Sequence, residues 1–179
     1  MGGFKPITPG ADSGSSVPTD NFSGGYFDYN DLGTTASPIA IIGGGADVVL
    51  TNDEAGFATI KLFPPNGVTD VWDATAGEFD WSELSVGDEV AIRLDISLIT
   101  TSQNTEITVE LHLAGGVFSL PWITETNFKS TGTHRQVIYN KFHLATIGVV
   151  NGNGEFKINA DKNCDVIVNG WYCSIRKRG

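Results

Sequence analysis

Cysteine is nearly absent: Cys164 and Cys173 are the only two in 179 residues, nine positions apart. In neighbouring or shared strands that spacing disfavours a bridge, so two free thiols and synthesis in a reducing cytoplasm are expected. Basic side chains are also few. Eleven Lys and Arg stand against 21 Asp and Glu, a formal net charge of -10. Such a chain repels phosphate backbones, which argues against nucleic acid as a partner. The one dense basic cluster is Arg176, Lys177 and Arg178 at the C-terminus, read as a solvated end. No run approaches the ~20 apolar residues that cross a bilayer, and the first residues lack the apolar centre of a secretion signal. No membrane partner is expected.

Motifs of chemistry are missing as well. His112, His134 and His143 never form H-E-x-x-H, and no G-x-S-x-G occurs. Gly43-Gly44-Gly45 lacks the Lys and Ser/Thr of a phosphate-binding loop. Asn159, Asp161, Asn163 and Asp165 imitate a calcium loop, yet counting from Asp161 the sixth position is Val166 and the twelfth Tyr172. The sharp turn and the bidentate carboxylate are therefore both lost. No catalytic residue, cofactor or metal is expected, and the chain reads as no enzyme.

What is present is alternation. Val90, Ile92, Leu94, Ile96 and Leu98 share one side of a run whose other side holds Arg93, Asp95 and Ser97. Successive strand residues point to opposite faces, so this is a ribbon half in a core and half in water. Ile107, Val109, Leu111 and Leu113 repeat the pattern. Further strand signals fall at 38–42, 46–51, 57–63, 117–122, 134–144 and 154–160, with Trp72, Phe79 and Trp81 as core anchors between them. Near the end the parity flips: Cys164, Val166 and Val168 are even, Trp171, Cys173 and Ile175 odd. A two-residue hairpin or a one-residue bulge at Asn169-Gly170 would both produce this. The sum is an all-β sandwich of about nine or ten antiparallel strands without helix.

Residues 1–35 differ, being rich in Gly, Ser, Pro, Asp and Thr. They read as an extended N-terminal arm before a folded body at 36–179. Phe4, Ile7, Phe22, Tyr26, Phe27 and Tyr29 punctuate this arm. Rings exposed to water gain nothing, so these six are the candidate anchors to a partner, the alternative being that the stretch from Phe22 onward packs on its own domain. Trp72, Trp81, Trp122 and Trp171 could alternatively form a sugar-stacking platform, although their apolar neighbours favour burial.

The segment Leu84-Ser-Val-Gly-Asp-Glu-Val-Ala-Ile-Arg-Leu-Asp-Ile, residues 104–113, Phe128-Lys-Ser-Thr-Gly-Thr-His and Val168-Asn-Gly-Trp-Tyr together resemble jelly-roll domains of tailed-bacteriophage virion proteins, which are similar to the tumour-necrosis-factor-like sandwich. The resemblance covers roughly residues 80–175 and carries framework positions only. It implies a jelly roll, homotrimeric self-association, and a structural role in the virion. Within that family the small body and aromatic arm fit a capsid decoration (cement) protein, made in the host cytoplasm, that bridges major capsid protein subunits on the head exterior. A tail or fibre component binding a host glycan, or a free carbohydrate-binding module, are the other expectations.

Overall fold

The computed structural model describes residues 23–178. Twelve strands among them form two antiparallel sheets. In the first sheet, β1 (Ser23–Asn30), β12 (Cys164–Lys177), β7 (Glu89–Thr100) and β10 (Gly132–His143) lie side by side. The short β4 (Ile60–Phe63) flanks β1, and β2 (Ile39–Ile41) pairs with β12. In the second sheet, β5 (Trp72–Asp73), β6 (Glu78–Asp80), β11 (Asn153–Ala160), β8 (Thr105–Leu113) and β9 (Phe118–Phe128) follow one another, with β3 (Val48–Val49) on β11. After β7 the chain crosses to the β8-β9 hairpin, returns to β10, crosses to β11 and returns to β12. This wrapping is the jelly roll. Two single helical turns, α1 (Gly33–Ala36) and α2 (Ile147–Val150), interrupt it. Their four-residue sequences carry no helical periodicity, which is why none was expected.

The alternating runs place their apolar sides inward. Val90, Ile92, Leu94, Ile96 and Leu98 of β7 are fully buried, as are Val109, Leu111 and Ile158 from the opposite sheet. One end of the sandwich is filled by rings from both sheets. Trp171 of β12 meets Trp72 edge-on at 4.5 Å, Phe79 stacks on Trp81 at 5.0 Å, and Phe156 contacts Trp122 at 5.1 Å. Each such ring removes ~150–250 Å² from water, roughly 4–6 kcal/mol gross at ~25 cal/mol per Å². An exposed ion pair contributes about 0–1 kcal/mol, so the body is held by this interior.

β12 is one continuous strand, and its pairing with β7 slips between Val168 and Gly170. The parity flip is therefore a one-residue bulge at Asn169, not a hairpin. It turns both apolar sets of β12 toward the same core. Only glycine suits the next position: Gly170 has φ +154° and a Cβ there would lie 2.4 Å from the Tyr29 carbonyl oxygen. Beside the bulge, Thr34 of α1 binds the Val168 peptide. Its Oγ1 accepts from Val168 N at 2.8 Å and lies 3.1 Å from Val168 O, with Asp31 Oδ2 behind it.

Among the described residues the sandwich already includes Ser23–Asn30, which lie before the boundary at 36 suggested by composition. β1 lies between β12 and β4, and all eight of its residues are in register with β12. Its Gly and Ser content hid it, because only alternate positions must be apolar in a strand buried on one face. Phe27 and Tyr29 are fully buried in the core. Phe4, Ile7 and Phe22 lie outside the described residues.

The Thr34 contact yields a test of the bulge. Thr34→Val keeps the side-chain shape but leaves the buried Val168 N–H without an acceptor, so chemical denaturation should show a loss of about 1–3 kcal/mol. An unchanged midpoint would mean that the bulge holds without Thr34.

Candidate functional site

The most concentrated ionisable group borders a cleft of about 430 Å³ lined by Thr69, Asp73, Asp80 and Glu83 among others. Lys61 Nζ donates to Glu54 Oε2 at 2.5 Å and to Asp70 Oδ2 at 2.6 Å. Tyr29 Oη donates to Asp70 Oδ1 at 2.6 Å and accepts from Val71 N at 3.3 Å. Burial raises the Tyr29 hydroxyl far above the usual phenol range, so it stays protonated. Burial pulls Lys61 down, but the hydrogen bonds it donates to Asp70 and Glu54 win and hold the ammonium charged. Burial would raise Asp70, yet Lys61 and Tyr29 keep it below the ordinary carboxylate range. Acid–base and nucleophilic work needs a group poised between two protonation states near neutral pH. Here Tyr29, Lys61 and Asp70 are each held in one, and their contacts tie β1, β4 and the 67–72 segment together.

The thiols are similarly fixed. Burial pushes Cys164 up to about 11 and Cys173 well above the usual thiol range. Two of the oxygens that imitate a calcium loop are engaged by distant backbone: Asp161 Oδ1 accepts from Glu106 N and Asn163 Oδ1 from Gly43 N. Among the described residues no group of three His, Cys, Asp or Glu is placed to hold a metal ion, and no helix is long and apolar enough to cross a membrane. The three histidines lie apart, His112 beside Glu110, His134 against Phe128 and His143 near Glu89. Trp72, Trp81, Trp122 and Trp171 are all buried, so they present no stacking platform to a sugar.

The two outer faces of the sandwich differ. Facing water on the β6-β11-β8-β9 sheet, Glu106, Thr108, Glu110 and His112 of β8 run beside Glu155, Lys157 and Asn159 of β11. That face is polar and acidic. On the other sheet, Phe63 of β4 stacks on Tyr26 of β1 at 5.2 Å, and Tyr26 stacks on Tyr172 of β12 at 5.3 Å. Arg93 of β7 lies over the Tyr172 ring at 5.4 Å, and Tyr139 of β10 is its register partner. A row of aromatic and guanidinium planes thus crosses five strands. Tyr139 is 61 % exposed, Val137 beside it 54 % and Phe63 at the far end 54 %.

The charges of this face compensate one another. Asp28 pairs with Arg93 at 3.8 Å, Asp95 with Arg135 at 2.5 Å and Glu89 with Lys141 at 3.1 Å. Asp165 and Arg176 are the other charged residues facing outward from β12, so the face carries four charges of each sign. Asn169, the bulge residue, reaches across to donate to Asp95 Oδ1 at 2.9 Å and to Ser97 Oγ at 3.0 Å. Burial alone would raise Asp95, but the hydrogen bonds from Arg135 and Asn169 hold its carboxyl below the usual range.

Of the three arm residues that the structure describes, Tyr26 reaches this face. Phe27 and Tyr29 point inward from the same strand, and the other three are outside the described residues. Phe63, Arg93, Tyr139 and Tyr172 were not singled out from sequence. Alternation puts Arg93 on the wet side of β7, and the flip puts Tyr172 there too, but only cross-strand register aligns them.

Acid should loosen the Asp95 cluster on this face. A carboxyl with a lowered folded pKa stabilises the fold at pH above its ordinary range and loses that contribution as pH falls through the folded value. The melting temperature should therefore drop below about pH 4. Asp95→Asn should melt lower than the parent at pH 7 and lose less on going from about pH 5 to about pH 3. Parallel curves for the two proteins would remove Asp95 from the acid response.

No protein-family model and no curated protein matches the chain. Solved structures do resemble it. One belongs to infectious bursal disease virus Gx strain, with TM-score 0.48 and 9 % identity, covering 89 % of this chain and 33 % of that one. Another is PRD1 vertex protein P5, with TM-score 0.41 and 15 % identity over 88 % of this chain and 97 % of that one. A third is Eiger TNF from S. frugiperda, at 0.41 and 8 %, with coverage of 88 % and 93 %. The chain spans about a third of the length of the first of these. At such identities each is a likeness of fold.

Proposed function

We propose that this chain is a non-enzymatic structural protein of a bacteriophage virion, a capsid decoration protein that bridges major capsid subunits on the head exterior. The observation that carries the reading is the aromatic, charge-compensated outer face on the β1-β12-β7-β10 sheet. Tyrosine-rich planes with balanced charge suit contact with other proteins, since they offer apolar area, hydroxyl hydrogen bonds and little net charge to desolvate. The resemblance of residues 80–175 to phage virion jelly rolls supplies the setting. Repetition of one weak contact over a shell multiplies it through avidity, which is how a small body reinforces a particle. Residues 1–22, with Phe4, Ile7 and Phe22, add reach for gripping a neighbouring subunit.

Truncation must respect β1, because removing residues up to 30 would take a core strand with it. Deletion of residues 1–22 should leave the melting temperature near that of the parent while sharply reducing incorporation into particles, measured by quantitative mass spectrometry of purified virions. Full incorporation of the truncated chain would exclude an arm role. A copy number in the hundreds per particle supports decoration of the head, and a few dozen or fewer would place the protein on the tail.

A further inference from the structure

We propose that the outer face of the β4-β1-β12-β7-β10 sheet is where copies of this chain meet one another, face toward face, with Tyr139 and Arg93 inside the contact. The inference rests on the structural role above and names the partner of that face. Charge selects the partner. With a net charge of -10, two copies repel when they approach through most surfaces, and the polar face of the second sheet shares that sign. This face does not. Its ion pairs of Asp28 with Arg93, Asp95 with Arg135 and Glu89 with Lys141 cancel locally, so it is the plane along which an acidic chain can approach its own copy without net repulsion.

Size and order agree with this. Five strands about 4.8 Å apart, the longer ones with 12 residues or more at ~3.3 Å each, form a plane on the order of 800 Å². That is about what one partner contributes to a standard stable interface. Three of the four tyrosines of the chain, Tyr26, Tyr139 and Tyr172, stand on it. Tyr26 and Tyr172 are already held in a stack with Phe63, so little side-chain freedom is lost when the plane is covered. The row also ends at β10, which among the described residues is an edge strand paired with β7 alone. Its exposed Val137 and Tyr139 continue the face to the rim.

Sedimentation equilibrium of the full chain tests the proposal over about 1–100 µM. The parent should show a mass that is a multiple of the monomer. Tyr139→Asp adds a charge at an exposed rim position that the core does not use, and should weaken association at least about tenfold. Val137→Glu, also exposed, should do the same, so the result does not depend on one variant folding well. Lys157→Glu on the opposite face should associate like the parent. A parent that stays monomeric at the highest concentration would overturn the proposal, as would variants at Tyr139 and Val137 that associate normally. A monomeric chain that still enters virions refutes this inference alone. An associating chain absent from virions refutes the structural role and leaves the contact between copies standing.

Discussion

A single extra residue in β12 governs both sides of the first sheet. The strand contributes Cys164, Val166 and Val168 to the core before Asn169, and Trp171, Cys173 and Ile175 after it. Alternation without the bulge would send the second set into water and Tyr172 into the core. Because Tyr172 is the middle of the aromatic row, the same insertion that completes the interior also creates the exterior face. The surrounding contacts fit that importance. Thr34 accepts the Val168 N–H that the irregular ladder frees, Gly170 lets the Tyr29 carbonyl approach, and the Asn169 amide anchors Asp95.

The forces that hold the protein together and those that shape its surface are separable by size. Packing of Trp72, Phe79, Trp81, Phe156 and Trp171 is worth several times what the ion pairs of the exposed face contribute, since those pairs compete with water. Their consequence is electrostatic neutrality. A sheet on which Asp28, Asp95 and Glu89 are each met by a cation costs less to cover than the second sheet, where Glu106, Glu110 and Glu155 face outward beside a single Lys157. The fold itself is indifferent to which face is covered. The distribution of side chains on the two faces is what distinguishes them.

Much of this was legible in the sequence. The alternation of residues 88–100 and 105–114 predicts two half-buried strands, found as Glu89–Thr100 and Thr105–Leu113, because a period of two is a local consequence of strand geometry. The flip at Asn169 was legible as an event, though a bulge and a hairpin leave the same trace in one dimension. β1 was not legible. Its Ser-Gly-Gly opening resembles linker, and its assignment depends on pairing with residues some 140 positions away. The arm anchors Phe27 and Tyr29 became core residues for that reason: an aromatic ring in a polar stretch records that something buries it, without recording what.

The sequence by itself determined the class of structure, since apolar periodicity, scarce helix formers and turn residues act within a few positions of one another. It also determined that the protein would be acidic. Only the tertiary structure decided which acids are neutralised and which tyrosines stand together, because Phe63, Tyr26, Tyr172, Arg93 and Tyr139 lie on five different strands and become neighbours solely through the registers of β4, β1, β12, β7 and β10. Register is fixed by the whole sandwich closing around its core, and no local pattern contains it.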